Sequence, residues 1–204
     1  MINAMKDVSA FVVAGGKSSR MGQDKALLKL NGRTLLDRAL ELAREVSPDV
    51  RIVASAQKFA AFAPVIEDVF TDQGPLAAIH AALKSSGTDL NLVLAVDLPF
   101  LDPNFLQYLI AQGQATNALV TVPRAAGGWQ TLCAVYRRGF ADYAELSLRQ
   151  GKNKIDPLFA RVETRVIEEN ELLQHGFSPD IFQNLNTPEE FKKAQKQTRP
   201  ATSN

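Results

Sequence analysis

The chain has 204 residues, 46% hydrophobic and 22% charged, which excludes a disordered chain, a collagen-like fibre and a coiled coil. Lys and Arg total 23 against 22 for Asp and Glu, a formal net charge of +1, so no general affinity for nucleic acid is expected. A lone cysteine, Cys133, cannot close an intramolecular disulfide, and no run resembles a secretory leader or reaches the ~20 apolar residues of a membrane helix, so the expectation is a cytoplasmic chain without a membrane partner.

Ala10 to Ala14 is a short, continuously apolar run ending at Gly15-Gly16, the pattern of a strand buried on both faces. Thr34 to Val46 spaces Leu35, Leu36, Ala39, Leu40, Ala43 and Val46 at helical intervals. Arg51 to Ser55 and Val65 to Asp68 read as the second and third strands, and Pro75 to Lys84 as a helix opening at Gly74-Pro75. Leu90 to Val96 reads as a further strand, with Asp102-Pro103 as N-cap and first turn of the next helix. Leu119 to Val122 and Leu132 to Tyr136 complete the strands. Such alternation with short connections predicts an α/β fold, a three-layer, Rossmann-like arrangement around a mostly parallel open sheet. No linker divides the chain, so residues 1–195 are expected to form one domain. Residues 196–204, without an apolar anchor, are expected to fray.

Open α/β sheets bind ligands at the carboxyl ends of their strands. Gly15-Gly16, Ser55, Asp68 and Asp97 all fall at such ends. The run from Val13 to Lys25 leaves a buried strand and enters a glycine-flanked loop carrying Lys17, Arg20 and Lys25. Backbone amides in such a loop can surround phosphate oxygens, Arg20 can fork onto two of them, and Lys25 adds a compact charge. Two familiar nucleotide loops are excluded. A P-loop needs glycine where Phe11 stands, and the spacing around Gly15-Gly16 does not give G-x-G-x-x-G.

The loop matches the pattern G-G-x-x-x-R-M-G-x-D-K, and the chain thereby resembles the molybdenum cofactor guanylyltransferases, the MobA type of nucleotidyltransferase. Gly74-Pro75-Leu76-Ala77, Asp97 with Pro99, and Asn184-Leu185-Asn186-Thr187-Pro188-Glu189-Glu190 follow in the family's order, and the likeness spans roughly residues 8 to 195. The resemblance implies transfer of GMP from GTP to the terminal phosphate of molybdopterin, with release of pyrophosphate and a requirement for Mg²⁺. It implies that Val13, Ala14 and Gly15 hold the base, that Lys25 reaches the triphosphate, that Gly16 and Asp68 contact the nucleotide and that Asp97 binds the metal. GTP and molybdopterin are the implied partners, with other cofactor-biosynthesis or acceptor proteins beyond them. The chain departs from the family at Ala54-Ser55, where asparagine is frequent, and at Ala78, where glycine is common.

The chemistry fits this reading independently. An acceptor phosphate is already an anion, so in-line attack on an α-phosphate needs no nucleophilic Ser, Cys or His. It needs a carboxylate for a hard dication and cations around the phosphates, which Asp97, Asp68, Arg20 and Lys25 supply. Asp102 is the better helix cap, which leaves Asp97 free of that duty. For Asp68, Glu67 and Asp72 are neighbouring alternatives. Asn184 and Asn186 read either as acceptor-side residues or as turn formers ahead of the Thr187 cap. His80 and His175 read as structural, Cys133 as a small buried hydrophobe, and Trp129 as either a rim over the acceptor or packing. The competing functions are transfer of CMP, use of a sugar-phosphate acceptor, and a nucleotide-binding module without catalysis.

Overall fold

The computed structural model describes residues 7–15, 24–185, 190–191 and 193–194. The apolar run near the start becomes β1 (Val8–Val13), buried along all six residues. A single 3₁₀ turn at Lys25–Leu27 leads to β2 (Lys29–Leu30) and β3 (Arg33–Thr34), a hairpin closed by Asn31-Gly32, both with positive φ as this tight turn demands. Thr34 then caps α1 (Leu35–Val46), its side chain accepting from the Asp37 amide. The chain continues through β4 (Asp49–Val53), α2 (Ala56–Phe59), β5 (Val65–Ile66), α3 (Pro75–Ser85), β6 (Leu90–Ala95) and α4 (Pro103–Gln114). Then come β7 (Val120–Ala125), β8 (Gly128–Trp129), β9 (Cys133–Arg137), α5 (Phe140–Arg149), α6 (Asp156–Phe159), β10 (Thr164–Glu168) and α7 (Glu169–Gln174).

The main sheet runs β10-β7-β9-β6-β1-β4-β5, with β8 folded back on β7. Pairings of β1 with β4 and β6, of β4 with β5 and of β7 with β10 are parallel, whereas β9 lies antiparallel between β6 and β7. Alternate residues of the central strands serve opposite layers. Ala10, Val12, Leu92 and Leu94 pack with Leu36, Leu40, Phe105 and Leu109 of α1 and α4. Phe11, Val13 and Val93 pack with Leu76, Ile79, Phe140 and Ala144 of α3 and α5. The expected α/β architecture, helices on both faces of a mostly parallel sheet, is therefore present.

The differences are local. The second strand ends at Val53, so Ser55 opens α2, and the third ends at Ile66, which leaves Asp68 on the following loop. The strand around Leu132 to Tyr136 is reversed in direction, and β10 and the helices after β9 extend the expected set. No helix among the described residues is long and apolar enough to cross a membrane. The tail 196–204 lies outside the described residues.

Candidate active site

A cleft of about 420 Å³ opens where β1 and β4 end and α3 begins. Val13, Gly15, Val53, Asp68, Asp72, Gly74, Pro75, Ala78 and Leu132 line it, and its volume is that of a small-molecule site. The Ala14 N–H donates to the Val53 carbonyl at 3.1 Å and the Val96 N–H to the Val13 carbonyl at 3.1 Å. These bonds fix the level of the cleft floor while leaving its surface to small groups. Gly15 does not require glycine for its own packing. Among the described residues a Cβ there would meet the Val53 carbonyl oxygen at 3.7 Å and Ala54 Cα at 3.8 Å, ordinary contacts, and its φ is not positive. Gly74 differs: it caps α3 at φ 72, in the left-handed region that a side chain disfavours.

Asp68 is half-buried in this cleft, and its Oδ1 is buried without a hydrogen-bond partner among the described residues. Burial holds its carboxyl above the ordinary carboxylate value. Of the neighbouring alternatives, Glu67 is occupied elsewhere: its Oε1 accepts from the Ala56 amide at 2.8 Å and so steadies the start of α2. Asp72 lines the cleft in a left-handed conformation, φ 60. Its role was open in the sequence, as were those of Val53 and Leu132. Their signal was position alone, one strand end or helix approach away from Asp68. Ala54 and Ser55, the departure from the family pattern, do not line the cleft.

The two charged residues singled out for the triphosphate and the metal meet directly. Lys25 Nζ donates to Asp97 Oδ2 at 2.6 Å, with side chains only 16% and 21% exposed. Asp24 sets this lysine in place: its Oδ1 accepts from the Ala26 amide at 3.2 Å and its Oδ2 from Lys58 Nζ at 3.0 Å. Asp97 follows β6 and takes no part in capping, because Asp102 accepts from the Asn104 amide at 2.6 Å and starts α4 itself. Gly16 and Arg20 lie outside the described residues.

The Asp97 carbonyl accepts from the Leu185 amide at 3.3 Å, which draws the Asn184 segment to the same strand end. Asn184 lines a second, wider cleft of about 1000 Å³ with Phe100, Ala126, Gly127, Glu190 and Lys193. Ala126 and Gly127 form its lip through a tight turn with φ 52 and 80 between β7 and β8. Asn186 lies outside the described residues. Trp129 packs edge-on against Phe159 and under Arg124, so it belongs to the hairpin's packing and does not line this cleft. Cys133 is fully buried, its thiol pushed above its ordinary value by burial. His80 is buried between α3 and α5, and His175 stacks on Tyr108 at 4.6 Å. No three His, Cys, Asp or Glu side chains cluster for a metal among the described residues.

Residues 10–165 match the model of the MobA-like NTP transferase domain. The chain is 35% identical over 196 residues to the molybdenum cofactor guanylyltransferase of Desulfosudis oleivorans, covering 94% of this chain and 96% of that one. Among solved structures it is similar to the molybdopterin-guanine dinucleotide biosynthesis protein A of Archaeoglobus fulgidus, with a TM-score of 0.82 and 27% identity, covering 93% of this chain and 97% of that one.

Proposed function

The chain belongs to the MobA-like NTP transferase family, and from that premise we propose that it transfers GMP from GTP to the terminal phosphate of molybdopterin, releasing pyrophosphate. An acceptor phosphate oxygen forms a bond to the α-phosphorus as the bond from that phosphorus to the bridging oxygen of pyrophosphate breaks. Both the entering and the leaving oxygens are anionic, so the protein's work is alignment and charge stabilisation rather than proton transfer.

The observation that carries this reading is the Lys25–Asp97 pair just past the end of β6, the strand beside β1, with the Asn184 segment bonded to the Asp97 carbonyl. The smaller cleft suits a base and Asp68 faces it. The larger one is assigned to the bulkier acceptor, with Asn184 on its wall. Lys25, placed beside Asp97, would reach the triphosphate, and Arg20 would add a second cation from the preceding loop.

A divalent ion fits the donor set. Mg²⁺ is ordinarily held by one or two carboxylates together with phosphate oxygens, and Asp97 Oδ2 already accepts from a cation, the Lys25 ammonium. Asp97 would hold Mg²⁺, which supplies charge neutralisation and orientation of the phosphates. Lys25 keeps the neighbouring carboxylate oriented until a nucleotide offers its own oxygens.

The reading is tested by pyrophosphate release from each of the four nucleoside triphosphates, with and without molybdopterin and with and without Mg²⁺. Release from GTP that requires both is the expected result. Nucleotide binding without any acceptor-dependent release would leave only a binding module.

A further inference from the structure

Asp68 poses a physical problem that its own surroundings do not solve. Its Oδ1 is buried without a hydrogen-bond partner among the described residues, a costly position for a carboxylate, and water would draw it outward. The segment that carries it is tied at its start by Glu67, whose Oε1 accepts from the Ala56 amide at 2.8 Å, but it has no ladder or helix of its own. Between the end of β5, where the Ala54 amide donates to the Ile66 carbonyl, and Gly74 at the start of α3, the loop forms no strand or helix, and Val69 is 79% exposed. Something else must hold the carboxylate inward.

Phe70, two residues after Asp68, turns into the apolar layer under α3 and α5. Its ring meets the edge of His80 at 5.2 Å and lies under the Arg149 guanidinium at 5.9 Å. Both walls of this socket converge on one carboxylate. Glu145 Oε1 accepts from Arg149 at 3.0 and 2.7 Å, while its Oε2 lies 3.5 Å from His80 Nε2 and 3.2 Å from Lys84 Nζ. Arg149 and Lys84 hold the Glu145 carboxyl down to about 2, so it stays charged across the working pH range. The socket is therefore part of the α3–α5 packing, and the Phe70 ring plugs the loop into it.

We infer that Phe70, seated between His80 and Arg149, is the positioning residue that keeps Asp68 turned into the nucleotide cleft. It touches no substrate. Burial of its ring offsets the cost of desolvating a carboxylate on the same short loop, and it acts on nucleotide affinity through Asp68 alone. The inference rests on the proposed use of the smaller cleft for the base.

The test is a double-substitution cycle read by calorimetric nucleotide binding, run with Phe70→Ala, Asp68→Asn and the pair together. Phe70→Ala is expected to weaken GTP binding about tenfold, with kcat at saturating GTP changed less than twofold. In the Asp68→Asn background the same change is expected to add less than twofold. Additive losses, or an unchanged affinity in a well-folded Phe70→Ala protein, would overturn the inference. If Phe70→Ala does not fold, Phe70→Leu and Arg149→Met loosen the socket while sparing the core, and the same cycle applies. All four nucleoside triphosphates are measured, which keeps the two readings apart. A wild-type protein that prefers another base contradicts the guanine assignment, while the cycle run with that nucleotide still decides the role of Phe70.

Discussion

The smaller and the wider cleft are built by different means. The smaller one takes most of its walls from strand ends and the first turn of α3, where sheet hydrogen bonds at Val13 and Ala14 and the constrained cap at Gly74 set the backbone, and adds Asp68 and Asp72 from the loop before α3. The wider one is walled mainly by the 126–127 turn and the 179–184 segment, together with Phe100, Glu169, Glu190 and Lys193. A rigid, shallow-tolerance site suits discrimination between bases, where the wrong partner leaves buried polar groups unmatched. A wide, loop-built site suits a large acceptor, and its side chains are individually replaceable. Substitutions around the smaller cleft and at the Lys25–Asp97 pair should therefore be severe and nucleotide-specific, and those around the wider one mild and acceptor-specific.

The largest effect is expected at the Lys25–Asp97 pair. Asp97→Asn preserves shape but removes the charge a hard dication prefers, and should lower turnover on the order of 10²–10³-fold with little change in Tm. Near-normal rates at limiting Mg²⁺ would remove Asp97 from the metal. Lys25→Ala should slow transfer by about 10²-fold, with a greater loss of affinity for GTP than for GMP. An equal loss for both nucleotides would move the ammonium away from the outer phosphates.

On the acceptor side, Asn184→Ala is expected to raise the KM for molybdopterin about three- to tenfold, the scale of one neutral hydrogen bond, and to leave the KM for GTP unchanged. A change confined to GTP would merge the two clefts into one site. Asp68→Asn gives a smaller and opposite effect on stability. A carboxyl held above its ordinary value keeps its proton in the folded protein over a range where the unfolded chain has lost it. Its favourable contribution is present at low pH and is lost as pH rises through the folded value. Above that value the buried charge is a liability, so Asp68→Asn should raise Tm there while weakening nucleotide binding. The gain should vanish once the pH falls below the ordinary carboxylate range. A lowered Tm at pH 7 would mean that Asp68 has a stabilising partner.

The contrast between the clefts also explains what the sequence disclosed. β1 and β6 were legible because both faces of each are buried, which leaves continuous apolar runs. Asp97 was legible because Asp102-Pro103 explains the next helix without it. The direction of β9 was not, since Cys133–Arg137 reads the same whichever way it pairs. β10 escaped notice because it is an edge strand with only Ile167 fully buried, so its pattern is weak. Asn31-Gly32 carried a plain hairpin signal that the flanking two-residue strands were too short to support. The socket around Phe70 depends on α3 meeting α5, a contact between residues 80 and 145–149 that no local pattern encodes.

Base choice is the central claim, and kcat/KM for GTP, ATP and CTP with molybdopterin as common acceptor tests it most directly. Gly15→Ala serves as the second arm, because the protein itself accommodates a Cβ at this position without strain. Any selective loss then reports on the nucleotide. The account predicts that GTP exceeds CTP by at least about tenfold and that Gly15→Ala reduces GTP use more than CTP use. A CTP value at or above that for GTP would contradict it and assign the chain to cytidylyl transfer.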